Sequence, residues 1–434
     1  VALQPLDLWL AHRTGLDAPP SRRRLDAWLL DRLRETVDHA QCASPFYARH
    51  LADAKSRDIA TFQDFSRLPT IGPEHLRDAP EGLLCVSRDE IARVVTLRTS
   101  GTTGPAKRVF HTAEDMEATV DYFAWGMAGI AAPGDTALIL MPDERPGGVA
   151  RLLTQALARS GVNAAVHGVM ENADAALDQC LEAEARCVVG SPAHLNLLAR
   201  AGERRGLPRG RVRSVLLCWD MIPEAVVRNC TRIFGCRTFR HWGMIETGLG
   251  GAVECTPGSG LHLRETDVFL EIIDPATGQI LPDGEYGEMV VTTPLRRGMP
   301  LIRYRTGDMG RILPGRCACP SPLRRLDPLI WRGTDSVDLG GRTLTLRELG
   351  QCLYALPELD DFAAGFGQGV LRILACGGRG LREAVNGALA SLPAVARGLC
   401  SGALALDIQT RKHGAPAIPG LDKRRITILG GNDQ

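Results

Sequence analysis

The run Thr99-Ser100-Gly101-Thr102-Thr103-Gly104, followed by Pro105-Ala106-Lys107, has the composition of a phosphate cradle. Its glycines let backbone approach an anion, its hydroxyls and successive amide N–H groups offer donors to phosphate oxygens, and Lys107 adds positive charge. A Ser/Thr/Gly turn that holds no ligand has the same composition, so the run alone leaves both readings open. It is not a Walker loop, because no Gly-Lys-Ser or Gly-Lys-Thr stands at the required spacing.

The elements that must carry this loop are legible in the apolar spacing. Short runs at 137–141, 187–189 and 215–218 alternate with helical patterns, the signature of a largely parallel sheet with helix crossovers. Ser191-Pro192 opens a helix after the second run, Ser capping and Pro at the first helical position. Leu25, Trp28, Leu29, Leu33 and Val37 predict an amphipathic helix over 22–40 that covers the main core. Between 267 and 293 the pattern becomes two strands, with a turn at Asp274-Pro275-Ala276-Thr277-Gly278, which reads as antiparallel. After Gly333 come a Gly340-Gly341 turn, a helix opened by Thr345 with Glu348 as a capping box, a strand at 370–375, and a helix at 381–392 stopped by Pro393. The fold class expected is α/β: a large N-terminal domain, 1–333, of mixed, mostly parallel sheets with an antiparallel subdomain, and a small C-terminal α+β domain, 334–434. The Pro- and Gly-containing tail, 414–434, is expected to be partly mobile.

Composition narrows the class of partner. At 434 residues the chain is long enough for two or three cores, and a formal net charge of +1 gathers neither nucleic acid nor an anionic membrane. The basic runs Arg22-Arg23-Arg24, Arg204-Arg205 and Arg324-Arg325 lack aromatic interleaving and read as solvated faces. No apolar run approaches the roughly 18 to 20 residues of a membrane span, and no basic-then-apolar leader is evident, so a cytoplasmic protein is expected. Thirteen scattered cysteines argue against a disulfide framework.

The loop 99–107 resembles the phosphate loop of the adenylate-forming superfamily, which includes acyl-CoA synthetases. Ser44-Pro45-Phe46-Tyr47, Leu68-Pro69-Thr70 and Gly82-Leu83-Leu84 are similar to phenylacetate–coenzyme A ligases in particular. The resemblance implies ATP-dependent activation of a carboxylic acid, with an aryl or arylacetic acid suggested, through an acyl-adenylate to a coenzyme A thioester, using ATP, Mg²⁺ and coenzyme A. It extends to His241-Trp242-Gly243-Met244-Ile245-Glu246-Thr247, where Trp242 lies on adenine and Glu246 serves the Mg²⁺ of ATP. It extends also to Tyr304-Arg305-Thr306-Gly307-Asp308, where Asp308 accepts from the ribose diol; two carboxylate oxygens suit two hydroxyls. Trp219 and Asp220 fall in the adenine-binding segment, an Asp that merely caps a strand end being the alternative. Arg332-Gly333-Thr334-Asp335 is similar to the Gly-Arg-x-Asp hinge about which the small domain turns, with its Gly and Arg exchanged, Asp335 as hinge residue and Arg332 at the nucleotide. Tyr122, Phe123 and Trp125, with the floor at 248–251, shape the acyl pocket or else belong to the core.

Two positions depart from the family. Ile245 replaces a hydroxyl residue, and in Gly420-Leu421-Asp422-Lys423-Arg424 the catalytic lysine aligns with Leu421. Either Lys423 substitutes, adenylation is slow, or another cation serves. A ligase that loads a carrier-protein thiol and a nucleotide-binding homologue without turnover stay open as alternatives, as does a homodimer. Phenylacetate–coenzyme A ligases also resemble the chain at Cys255, His262, Cys317 and Cys319, which implies a Cys₃His structural zinc site; four separate side chains are the alternative.

Overall fold

The structure, a computed structural model, describes residues 3–97, 106–143, 147–333, 335–420 and 422–429. The chain divides into two units. One comprises Val1–Gly129, Arg151–Ser160 and His241–Ile330, the other Ile130–Ala150, Gly161–Arg240 and Trp331–Gln434.

In the first unit the helix Arg22–Ala43 starts where Ser21 accepts the Arg24 amide, and it buries Leu25, Leu29, Leu33 and Val37, the stripe that the spacing predicts. Phe269–Ile273, Gly287–Thr292 and Tyr304–Gly310 pair antiparallel in that order. The turn at 274–278 forms because Asp274 Oδ1 accepts the amides of Ala276 and Thr277 at 2.9 and 2.8 Å. A second antiparallel pair, Ile91–Leu97 with Lys107–Thr112, brackets the glycine–hydroxyl run. The helix Ala113–Ala128 follows directly, boxed at its start by Thr112 and Asp115. Residues Thr99 to Gly104 lie outside the described residues.

The early motifs brace the strand that carries Asp308. Tyr47 is fully buried; its hydroxyl donates to the Pro300 carbonyl at 3.0 Å and accepts the Ile302 amide at 3.1 Å. Ser44 donates to the Gly82 carbonyl at 2.7 Å. Ile71, just beyond Leu68-Pro69-Thr70, exchanges main-chain hydrogen bonds with Arg303 and Arg305 on either side of Tyr304.

The second unit holds parallel strands in the order Asn163–Val166, Thr136–Leu140, Cys187–Gly190, Ser214–Leu217 and the start of Arg237–Trp242. Ser191 caps Pro192–Arg204 by accepting the His194 amide. The residues after Trp331 share this unit's apolar core: Leu138, Leu197 and Phe234 lie in one cluster with Leu349, Phe362 and Ile373. Asn196 donates to the Asp360 carbonyl at 2.7 Å, and Asn229 bridges Asn196 Oδ1 and the Tyr354 carbonyl at 2.8 and 2.9 Å. The C-terminal sheet runs Ala405–Lys412, Val370–Gly377, Leu359–Gly367, Ile426–Ile428.

Two local expectations change. The helix from Leu381 ends at Ala390, and Pro393 opens a further helix, Pro393–Cys400, because a residue without an N–H costs nothing in a first turn. Part of the tail, 422–429 among the described residues, is tied to the C-terminal sheet. Ile426–Ile428 pairs parallel with residues 364–366, and the buried Arg424 donates to Asp361 Oδ1 at 2.6 Å with its guanidinium 4.7 Å from the Phe362 ring centre. Tyr354 Oη and the Ala417 amide donate to the same carboxylate at 2.6 and 2.8 Å. Among the described residues no helix is long and apolar enough to cross a membrane.

Candidate active site

The strand Arg237–Trp242 delivers His241, Trp242 and Gly243 to a tight loop that returns as Ala252–Glu254, with Trp242 paired to Ala252. Within it the single turn Ile245–Thr247 carries Glu246, closed by the Thr247 amide on the Met244 carbonyl and by Thr247 Oγ1 accepting the Met244 amide at 3.1 Å. Thr119 Oγ1 ties the far end by donating to the Gly248 carbonyl at 3.0 Å. Gly251 is required here: a Cβ on it would stand 2.5 Å from the Trp242 ring, so any side chain would push the indole away.

Glu246 is 2% exposed and accepts Lys107 Nζ on Oε1 at 2.6 Å. Tyr304 Oη donates to the same oxygen at 3.2 Å, and Arg296 Nη1 donates to the Glu246 main-chain carbonyl at 2.7 Å. The structure thus brings together Lys107, Glu246 and the head of the Tyr304–Asp308 motif. Asp308 is buried four residues along the same strand. Between Tyr304 and Asp308 the register slips, Arg305 facing Val290 and Met309 facing Glu288, so 306–308 bulge opposite Met289. Gly307 takes φ +75°, a conformation that favours glycine, and Thr306 pins the bulge by donating to the Met289 carbonyl at 2.8 Å.

His241 is held neutral at pH 7. Burial pushes its pKa down to about 4, with Arg264 adding repulsion, and its Nε2 has no hydrogen-bond partner among the described residues. Ile245 packs against the first unit's apolar core, so a hydrophobic contact stands where the family has a hydroxyl. Tyr122 is core: its ring is 2% exposed and lies 4.8 Å from the Arg264 guanidinium. A cavity of about 800 Å³ in this unit is lined by Thr119, Thr247, Gly248, Arg264 and Arg296.

The second unit holds Trp219, Asp220, Arg332, Asp335 and Lys423. Trp219 adopts φ +81° just after the strand Ser214–Leu217. Asp220 accepts the Met221 amide on Oδ1 at 2.8 Å and the Arg424 amide on Oδ2 at 2.9 Å; burial raises its pKa, and these bonds oppose the shift. Lys423, exposed, is therefore brought beside Asp220 by its neighbour. Arg332 and Asp335 lie in one turn, the Asp335 amide donating to the Arg332 carbonyl at 3.1 Å.

Cys255, His262, Cys317 and Cys319 converge in the first unit, their ligand atoms all within 4.8 Å of one another. Cys255 Sγ is 3.8 Å from Cys317 Sγ, and Cys319 Sγ is 3.5 Å from His262 Nε2. His262 stands on Leu261–Leu263, between Ala252–Glu254 and Arg325–Leu326, so the cluster joins loops at three neighbouring strands. The donor set, three thiols and an imidazole, suits zinc.

Tyr304 and Arg296 as contacts of Glu246 were not visible in the sequence. Both are remote from it, 58 and 50 residues along the chain, and their meeting depends on the loop closed between Thr293 and Leu301.

Residues 29–298 match the family model of AMP-binding enzymes, and the chain belongs to that family. It is an adenylate-forming ligase of the phenylacetate–coenzyme A ligase-like kind. It is 29% identical to the phenylacetate-coenzyme A ligase of Thermus thermophilus over 353 residues, covering 78% of this chain and 77% of that one. The ligase of the same name from Pseudomonas putida is 27% identical over 347 residues, covering 76% of each. The fold is that of a solved 2-hydroxyisobutyryl-CoA ligase in its postadenylation state, with a TM-score of 0.76 at 18% identity over 95% of this chain and 91% of that one.

Proposed function

We propose that the chain activates an aryl or arylacetic acid with ATP and transfers the acyl group to coenzyme A. The observation that carries this reading is the buried Lys107–Glu246 pair, shared with Tyr304 from the strand of Asp308. In the first half-reaction a carboxylate oxygen attacks the α-phosphorus, and the bond to the β-phosphate breaks with its electron pair leaving on pyrophosphate. In the second the coenzyme A thiolate attacks the acyl carbon and AMP departs.

Lys107, with Thr99 to Gly104, holds phosphate oxygens and offsets their charge. Glu246 fits Mg²⁺, a hard cation commonly held by one or two carboxylates together with substrate phosphates; bound there, it would neutralise charge on the departing pyrophosphate. Asp308 takes the ribose diol. The remaining roles, Trp242, His241, Gly243, Trp219, Asp220 and Arg332 at the nucleotide and Lys423 as the late cation, belong to the same proposal. So does division at 333/334 with a turn about Asp335, a motion that would have to open the core shared by residues on either side of it in the second unit. Ile245, partly buried against the apolar core, favours a second reading, nucleotide binding with weak turnover. Pyrophosphate exchange with an acid panel, then thioester formation on adding coenzyme A, separates the two.

Zinc at Cys255, His262, Cys317 and Cys319 is part of the proposal as a structural ion. Elemental analysis of the purified protein is expected to find about one zinc per chain, lost in Cys317→Ser/Cys319→Ser with a lowered Tm. Metal-free protein whose four side chains react freely and whose Tm ignores chelators would remove zinc from the account.

A further inference from the structure

We propose that Tyr304 and Arg296 are positioning residues that hold Glu246 in place while its counter-ion changes from Lys107 to a divalent cation carried by the nucleotide. The inference rests on the reading of Glu246 given above.

The buried pair is balanced: an ammonium and a carboxylate, 10% and 3% exposed at their side chains, neutralise each other. Nucleotide phosphates give Lys107 an alternative anion, and the accompanying cation gives Glu246 an alternative positive charge. Both charges then keep a counter-ion through the exchange, so neither is left buried alone. What the exchange removes is the Lys107 hydrogen bond to Glu246 Oε1. Tyr304 and Arg296 are not part of that exchange. The Tyr304 hydroxyl is neutral and donates to Oε1, while the Arg296 guanidinium grips the main-chain carbonyl, fixing the turn beneath the side chain.

Both grips are themselves fixed. Tyr304 is fully buried, in a strand flanked by Ile71 and Val291. Arg296 is 9% exposed and sits in a loop closed by Thr293, which exchanges hydrogen bonds with the Leu301 amide and carbonyl at 2.9 Å each. The turn bearing Glu246 is thus held from the segment that leads into and includes the strand of Asp308.

Calorimetric titration of ATP at stepped Mg²⁺ tests this without turnover. In the wild type, ATP affinity should rise with Mg²⁺. In Tyr304→Phe and Arg296→Gln the apparent Mg²⁺ affinity in that linkage should weaken about 10-fold, the scale of a hydrogen bond to a charged group. AMP binding without Mg²⁺ should stay within about twofold, and Arg296→Lys should recover part of the loss. A wild-type Mg²⁺ response in both variants would overturn the proposal, as would an equal loss of AMP binding. Should Arg296→Gln fail to fold, Tyr304→Phe, which deletes one oxygen, decides alone. Glu246→Gln separates the two ideas. If it keeps the Mg²⁺ response, the reading of Glu246 fails; if it loses the response while the positioning variants keep it, only the present inference fails.

Discussion

Lys107→Met should destabilise the protein by about 3–5 kcal/mol, because it removes the cation of a buried ion pair while the carboxylate stays buried. The Glu246 side chain is 3% exposed, and Tyr304 Oη at 3.2 Å supplies a dipole but no charge. Glu246→Gln strands Lys107 in the same way, with Lys107 10% exposed at its side chain. The double variant Lys107→Met/Glu246→Gln removes both charges together, so it should be more stable than either single variant. Denaturant unfolding of the four proteins gives the coupling; additive losses would show that the pair is not a closed electrostatic unit. Activity should not follow stability. The double variant should recover the fold yet remain about 10²–10³-fold slower in adenylation, the scale of losing a preorganised electrostatic group.

Asp361→Ala should have a comparable effect in the second unit. It removes the acceptor of Arg424, Tyr354 and the Ala417 amide at once, where Arg424 and Asp361 side chains are 7% and 0% exposed. A loss of about 3–5 kcal/mol follows from leaving that guanidinium buried without its carboxylate. The loss should be local first. Ile426–Ile428 is a three-residue edge strand, and Arg424 is the side chain that fixes the chain leading into it. Hydrogen exchange of peptides spanning 415–429 should accelerate strongly while those in Cys187–Gly190 keep their protection. Unchanged protection of the tail would mean that strand pairing holds it without the ion pair.

Much of the fold was legible because its signals are local. Ser191-Pro192, the Thr345/Glu348 box and the 274–278 turn each place donor and acceptor within a few residues, and each forms as its spacing predicts. The parallel strands were legible as short apolar runs because both their faces are buried. The contacts of the tail were not legible for the opposite reason: Pro and Gly content is a local cue, whereas the partner of Arg424 lies 63 residues upstream. The site divides along the same line. Glu246 and Asp308 stand in motifs that can be read as strings, but Arg296 stands in none, and its grip on the Glu246 carbonyl arises only from the fold. Ile245 illustrates a further limit. Its departure from the family was visible, while its packing against the apolar core was not.

The central claim is acid-dependent adenylation at the Lys107–Glu246 site. Its most direct measurement is exchange of labelled pyrophosphate into ATP with aryl and arylacetic acids, without coenzyme A, comparing wild type with Glu246→Gln. The account predicts label in ATP only when a suitable acid is present, falling about 10²–10³-fold in Glu246→Gln. No exchange with any acid at high enzyme concentration, or exchange that survives intact in Glu246→Gln, would contradict it.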